Sequence, residues 1–595
     1  MAHTRTAPAG TPLGDSFHLY DTTLRDGAQG EGISYSVTDK LATARLLDSL
    51  GVGFIEGGWP GAMPKDTEFF RRAAAELDLR HAALVAFGST RKPGRRAQQD
   101  AQVLALLNSG APVITLVAKA DRRHIERALR TDVAENCAMV QETVRFLTSE
   151  GRRVFLDAEH FFDGYADDPD TALRVLDAAM AAGADVAVLC DTNGGQLPGR
   201  LAEAVAEVVE RTAFRVGIHC QDDTGCAVAN TVAAVEAGAT HVQCTANGYG
   251  ERTGNADLFA VTGNLATKLN MPVLPGTRLS ELTRTAQGLA AIAHVSPDRH
   301  QPYVGAAAFA HKAGLHASAM KVDPGLYQHI DPDVVGNESR ILVTEMAGRA
   351  SLELKCLQLG FDVQDTDAVS RVVDRVKQLE AAGWSFESAD ASLALLFHDE
   401  LANTATGRNA PRGPRAAFAP LTYEVVERRA ADGAVVSEAS VRLRVGGPEG
   451  VGEVSAGADR AGEVSATAVG DGPVAALDSA LRGALAPHLP WTAETALVDH
   501  SVRVLESGPG TSELTRVLVV SRDADGEWTT VGVHSSAVVA AMLALCDALA
   551  YKPLKDALRD ADASSRADAS PRADAPPRTD APPRTAAAQA PVPSR

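Results

Sequence analysis

The 595-residue chain carries 76 acidic against 57 basic side chains, a formal net charge of −19. That balance excludes a dominant electrostatic grip on nucleic acid or an anionic membrane, so small anionic partners must be captured locally. With 45% hydrophobic and 22% charged residues the composition is that of a soluble globular protein, and the length exceeds a single small module.

Residues 1–16 have no apolar core of a signal peptide and are expected to be disordered. From Phe17 to about Thr267, short apolar runs alternate with segments of helical period. Eight runs read as strands: FHLYDTTL, GFIEGGW, AALVAF, PVITLVAK, RVFLDAEHF, DVAVLCDTN, RVGIHC and HVQCTANG. Eight βα units in this length predict an α/β fold, a (β/α)8 TIM barrel over residues 17–275. An open doubly wound sheet would more often show a Gly-rich phosphate loop after its first strand.

Residues 276–416 read as a helical connector and 417–554 as a C-terminal α+β domain, a βββα module repeated twice. Residues 555–595 hold an Ala/Pro/Asp/Arg tract with four hexapeptides, too poor in apolar surface to fold, and are expected to be a disordered tail. The longest apolar stretch, near Ala537 to Ala550, is interrupted by Asp547 and falls short of the roughly 20 residues that span a bilayer. Seven cysteines without a C-x-x-C pair fit reduced thiols. A cytoplasmic protein with neither nucleic-acid nor membrane partners is expected.

A barrel places its chemistry where strands end and loops begin. Polar residues collect there: Arg25 and Asp26 after the first strand, Glu56 after the second, Glu159 and His160 after the fifth, Asp191 and Thr192 after the sixth. His219 to Asp223 follow on the seventh strand, and Asn247, Glu251, Arg252 and Asn255 beyond the eighth. Arg25 offers a fixed fork of donors for an oxyanion, and Asp26 is a hard ligand for a divalent cation. The plain alternative for these two is an ordinary ion pair. A period of two aims His219, Gln221 and Asp223 to one side, a set of one imidazole and several oxygens that suits Mg2+, Mn2+ or Zn2+.

DTTLRDG, GIHCQDDTG and NGYGERTGN, three separated motifs in order, resemble the metal-dependent acyl-CoA-condensing barrel enzymes. That family includes isopropylmalate, homocitrate and citramalate synthases and is related to HMG-CoA lyase. EGGWPGAMPKD, LVAFGSTRK and EHFFDGY most resemble its citramalate synthase branch, while GDGPVAALDSALRGAL and WTTVGVHSS resemble the family's effector-binding domain. The resemblance implies condensation of acetyl-CoA with pyruvate, thioester hydrolysis, and a place at the first step of a threonine-independent isoleucine route. It also implies isoleucine as effector and a homodimer. Isopropylmalate synthase or a related condensing enzyme is the alternative.

Residue by residue, the resemblance implies Asp26 and His219 as metal ligands, with Asn255 close by. Arg25 would contact the keto oxygen, Glu56 would join the same catalytic cluster, and Glu159 and Thr192 would hold the 2-oxo acid. His316 and Tyr327, in a segment that reaches a partner's barrel in this family, are implied in catalysis or acetyl-CoA handling, with Glu251 as a further assistant. One position departs from the pattern: His-x-His is usual on strand seven, and here the second histidine is Gln221. Its amide oxygen suits Mg2+ or Mn2+ better than Zn2+. The substitution leaves two readings, a working site with shifted metal preference or a disabled site in a non-catalytic amino-acid sensor.

Overall fold

A computed structural model describes residues 14–361, 366–406, 413–429, 431, 433–446, 462–505 and 513–568. They fall into two compact units, Met1–His311 with Val322–Arg340, and Lys312–Lys321 with Ile341–Arg595.

The first unit contains all eight predicted strands: β1 (His18–Asp21), β2 (Phe54–Gly58), β3 (Ala83–Ser89), β4 (Val113–Lys119), β5 (Arg153–Glu159), β6 (Val186–Asp191), β7 (Arg215–Cys220) and β8 (His241–Cys244). They close in chain order into a barrel, with β1 pairing parallel to β8 from His18↔His241 to Asp21↔Cys244. Strands buried on both faces must be apolar nearly throughout, and Val186–Asp191 is buried at every position. Alternate residues then divide the work. Leu19, Ile55, Ala86 and Leu189 pack in the layer beneath the helices, whereas Tyr20, Phe54, Val85, Phe155 and Val188 fill the lumen.

Helix Val37–Leu50 illustrates how the outer ring is delimited. Ser36 and Asp39 form a reciprocal capping box, and Gly51 ends the helix in the left-handed region at φ +102°.

At the N-terminal mouth of the barrel, His18 Nδ1 lies 3.1 Å from His241 Nδ1, and both rings are buried among Phe54, Phe155, Arg153, Arg215 and Asp15. Burial outweighs the hydrogen bond to Asp15 and, with the two guanidinium charges, pushes His18 down from 6.5 to about 4. The unfolded chain therefore takes up a proton as the pH falls through 6.5, while the folded barrel refuses it until about pH 4. Stability from this site is fully present above 6.5 and lost across that window. Thermal midpoints recorded from pH 6.5 down to 4 should fall, and His18→Asn should flatten the dependence.

The stretch expected as one connector is shared between the units: helix Leu282–Ala293 belongs to the first, and helices Gly314–Met320, Arg349–Gln358, Thr366–Ala381 and Asp390–Thr406 belong to the second. The second unit continues as two βββα modules. Strands Phe418–Arg429, Val435–Val445 and Glu463–Gly470 form one antiparallel sheet, followed by helix Pro473–Leu485. Strands Ala496–Leu505, Leu514–Asp523 and Gly526–His534 form the other, followed by helix Ala537–Asp568. Gly532 lets this last helix approach closely, because a Cβ there would collide with the Ala540 carbonyl.

Two sequence expectations are corrected here. The last helix runs on to Asp568 and Gly14–Ser16 form a 3-10 turn, so residues 555–568 and 14–16 are ordered rather than disordered; residues 1–13 and 569–595, the rest of the stretches expected to be disordered, lie outside the described residues. The apolar stretch is also longer than read, since Ala537–Ala561 is long and apolar enough to cross a membrane, at mean hydropathy 1.6. Its apolar face is used locally: Ala540, Ala541, Ala544, Leu545, Ala548 and Leu549 pack into the core of the two modules.

Candidate active site

The turn after β1 brings the first two functional side chains to the rim. Asp21 accepts hydrogen bonds from the Thr23 amide (3.0 Å) and hydroxyl (2.7 Å), and the amides of Arg25 and Gly27 both donate to the Thr22 carbonyl at 3.1 Å. Arg25 then projects over the ring of Phe87, 3.9 Å from its centroid, and donates Nε–H to Glu56. Its Nη1 is 3.3 Å from Asp26 Oδ2.

Glu56 is completely buried and takes a second hydrogen bond from the Tyr20 hydroxyl, which is 2.8 Å from Thr115 Oγ1. It faces Arg25 from behind and is not part of the cavity wall. Glu56 sits in the cluster expected of it, backing Arg25 with both of its oxygens accepting from protein donors. Burial opposes the charge on Arg25, but Glu56, Asp26 and Asp157 outweigh it and raise its pKa further. Burial alone would raise Asp26; the Arg25 charge and the bond with His219 instead hold its carboxyl well below the usual range.

Across the lumen, His219 Nε2 lies 3.3 Å from Asp26 Oδ2. The loop after β8 completes the group. Gly250 and Gly254 adopt φ +154° and +92°, and a side chain at Gly254 would collide with the Gly248 carbonyl. This tight turn sets Asn255 beside Gln221 in an antiparallel bridge. Asn255 Nδ2 donates to the Tyr249 carbonyl at 2.9 Å, which leaves its Oδ1 free to face elsewhere.

Two oxygens here have no hydrogen-bond partner although buried: Gln221 Oε1 and Asn255 Oδ1. Orphaned buried acceptors are costly, and a cation between them removes the cost. The Asp26 carboxylate, an imidazole nitrogen and two neutral amide oxygens form a hard, oxygen-rich donor set, which fits Mg2+ or Mn2+ better than Zn2+.

Asp26, His219 and Gln221 line one wall of a cavity of about 480 Å³ at the C-terminal ends of the strands, and Asn255, bridged to Gln221, lies outside that lining. Arg25, Asp26, Glu159, Thr192, His219, Gln221 and Glu251 all reach it. Glu159 is paired with Lys119, and Thr192 Oγ1 accepts the His160 amide at 2.9 Å, which leaves the hydroxyl proton available. Arg252 ties the loops together, bonding Asp223 at 2.8 Å and the Thr192 carbonyl at 2.9 Å. Asp223, aimed at the lumen by the strand period, is instead engaged by this arginine at the rim.

The cavity wall belongs to the first unit. Tyr327 lies in that unit, 41% exposed and away from the wall, and His316 lies in helix Gly314–Met320 of the second. Three residues that sequence reasoning missed join the site: Tyr20 behind Glu56, Asp157 in the wall, and Gln243 against His219. Burial, followed by the charge of Glu56, pushes Asp157 up to about 7. The available signal was the period of two, which puts Asp157 on the same face as Glu159 and Gln243 on the inward face of β8.

Residues 16–289 match the HMGL-like family, 303–383 the homocitrate synthase post-HMGL domain-like family, and 387–552 the LeuA allosteric (dimerisation) domain. The chain is 55% identical over 555 residues to the (R)-citramalate synthase of Streptomyces coelicolor, covering 93% of this chain and 100% of that one. The chain belongs to the (R)-citramalate synthase family. Relatives of the same description in Aquifex aeolicus and Sulfolobus acidocaldarius are 42% and 38% identical, covering 91% and 90% of this chain and 99% and 96% of theirs. Family membership makes this an acyltransferase of the condensing type in amino-acid biosynthesis, built as a TIM barrel with an allosteric domain. The family is divalent-metal dependent.

Proposed function

We propose that the chain joins acetyl-CoA to pyruvate and hydrolyses the thioester, releasing (R)-citramalate and CoA. The observation that carries this reading is the convergence of Arg25, Asp26, His219 and Gln221 on one cavity, with Asn255 bridged to Gln221 and the amide oxygens of both left without a hydrogen-bond partner. Asp26, His219, Gln221 and Asn255 would hold the cation, Mg2+ or Mn2+. When bound, it supplies Lewis-acid polarisation of the 2-oxo group and offsets the charge of the acid.

Arg25 donates from its fork to the keto oxygen, where negative charge develops as the acetyl methyl carbon attacks. Glu56 and Phe87 hold that fork in place, so little reorganisation is needed at the moment of reaction. Glu159 and Thr192 orient the 2-oxo acid, Thr192 through its free hydroxyl proton. The methyl proton goes to a general base, and water then cleaves the thioester. In a homodimer the base is His316 of the partner subunit, with the partner subunit's Tyr327 and this chain's Glu251 assisting. The C-terminal modules bind isoleucine as an end-product effector, and the enzyme works in the cytoplasm.

Thiol release measured with a panel of 2-oxo acids tests the reading. Pyruvate should be strongly preferred, and chelator-treated protein should be inactive until Mg2+ or Mn2+ is returned. A preference for 2-oxoisovalerate would replace it with isopropylmalate synthase, and absence of turnover together with absence of metal-dependent pyruvate binding would leave a ligand sensor. Size discrimination by one methylene is worth only about 1–3 kcal/mol, so the ratio of kcat/KM values is the decisive number.

A further inference from the structure

His219 Nδ1 lies 2.8 Å from Gln243 Oε1, and Gln243 Nε2 lies 2.8 Å from Asp157 Oδ1. All three side chains are buried, with Gln243 at 1% exposure and Asp157 at 4%. They come from three strands, β7, β8 and β5, and cross the barrel lumen as a single file.

The chain of bonds has a direction. The inner bond runs from Gln243 Nε2–H to Asp157 Oδ1, which turns the amide's carbonyl oxygen toward His219. A carbonyl oxygen only accepts, so the bond to His219 requires the ring proton on Nδ1. The other ring nitrogen, Nε2, faces Asp26 at 3.3 Å; a proton there bonds the carboxylate, and a cation taking that proton's place would meet the Nε2 lone pair. A ring held the opposite way would present an N–H to the place where the cation belongs.

We propose that Asp157 and Gln243 act as positioning residues that fix the tautomer and ring orientation of His219, and so preset it as a metal ligand. This rests on the metal site proposed above. Histidine ligands commonly donate their second nitrogen to an acceptor, and loss of that acceptor typically lowers metal affinity about 10–100-fold. What is unusual here is an amide placed between the imidazole and the carboxylate, which transmits orientation without putting a second buried carboxylate beside Asp26 against the ring. With a glutamine already in place of the second histidine, His219 is the one imidazole in the proposed ligand set, and its alignment carries more of the affinity.

Mn2+ titrations followed by electron paramagnetic resonance on the full chain read this without turnover. Gln243→Met keeps the volume and removes the acceptor; Mn2+ affinity should fall about 10–100-fold with the circular dichroism spectrum unchanged. Gln243→Glu combined with Asp157→Asn reverses the polarity of the inner bond but still offers an acceptor to Nδ1–H, so it should bind Mn2+ within about threefold of the parent. If Gln243→Met fails to fold, the double variant decides alone, and a loss of tenfold or more in it overturns the proposal. Unchanged affinity in folded Gln243→Met also overturns it. If the parent chain itself takes up no Mn2+, the metal site proposed above fails instead.

Discussion

Arg25→Ala should lower kcat and kcat/KM together by about 10²–10³, because its hydrogen bonds to the keto oxygen strengthen as charge develops there. The structure adds a second expected effect. Arg25 neutralises Glu56, which is wholly buried, and removing one partner of a buried pair typically costs about 3–5 kcal/mol. The thermal midpoint should therefore drop with the rate. The two effects separate in the double variant Arg25→Met with Glu56→Gln, in which the new side-chain amide still meets Tyr20 and no buried carboxylate is stranded. That protein should recover much of its stability and none of its turnover. A near-normal rate in Arg25→Ala would refute the assignment of the arginine to the developing oxyanion.

Asp547→Ala should destabilise the second unit by about 3–5 kcal/mol. Asp547 interrupts an apolar helix, and its carboxylate is buried to accept two parallel bonds from Arg415, Nε–H to Oδ1 at 2.9 Å and Nη2–H to Oδ2 at 2.8 Å. Arg415 also bonds Asp399 at 2.6 Å, and Ser392 donates to Asp547 Oδ2 at 2.8 Å while accepting the Val531 amide at 3.0 Å. One carboxylate thus joins helix Asp390–Thr406, the segment Gly413–Ala416, the strand Gly526–His534 and the last helix. Without it, Arg415 keeps Asp399 as its remaining carboxylate among the described residues. Differential scanning calorimetry should show the loss in the transition of the second unit, and the double variant Arg415→Met with Asp547→Leu should regain most of it. A midpoint unchanged in Asp547→Ala would mean the network contributes no net stability.

Much of the site was legible because its members sit at strand ends within short motifs. Arg25, Asp26 and His219 reach one cavity as the strand count and the period of two required, and Gln221, one residue past the end of β7, reaches it as well. Glu56 was legible as a member of the cluster but not as its backing, since only a count of its hydrogen bonds reveals that both oxygens are taken. Asp223 was read as inward-facing, but the chain leaves β7 at Cys220 and the period no longer applies beyond it. Tyr20, Asp157 and Gln243 carry no motif at all.

By itself the sequence determined the order of strands and helices, the barrel, the two βββα modules and the residues delivered to the rim, because burial on both faces of a strand and on one face of a helix writes itself into local periodicity. Tertiary structure alone decided which lumen side chains meet. The Asp157–Gln243–His219 file depends on the register of β5, β7 and β8 around a closed barrel, and the orphaned oxygens of Gln221 and Asn255 depend on how a glycine-rich loop folds back on β7. Contacts between residues up to 86 positions apart leave no periodic trace in the chain.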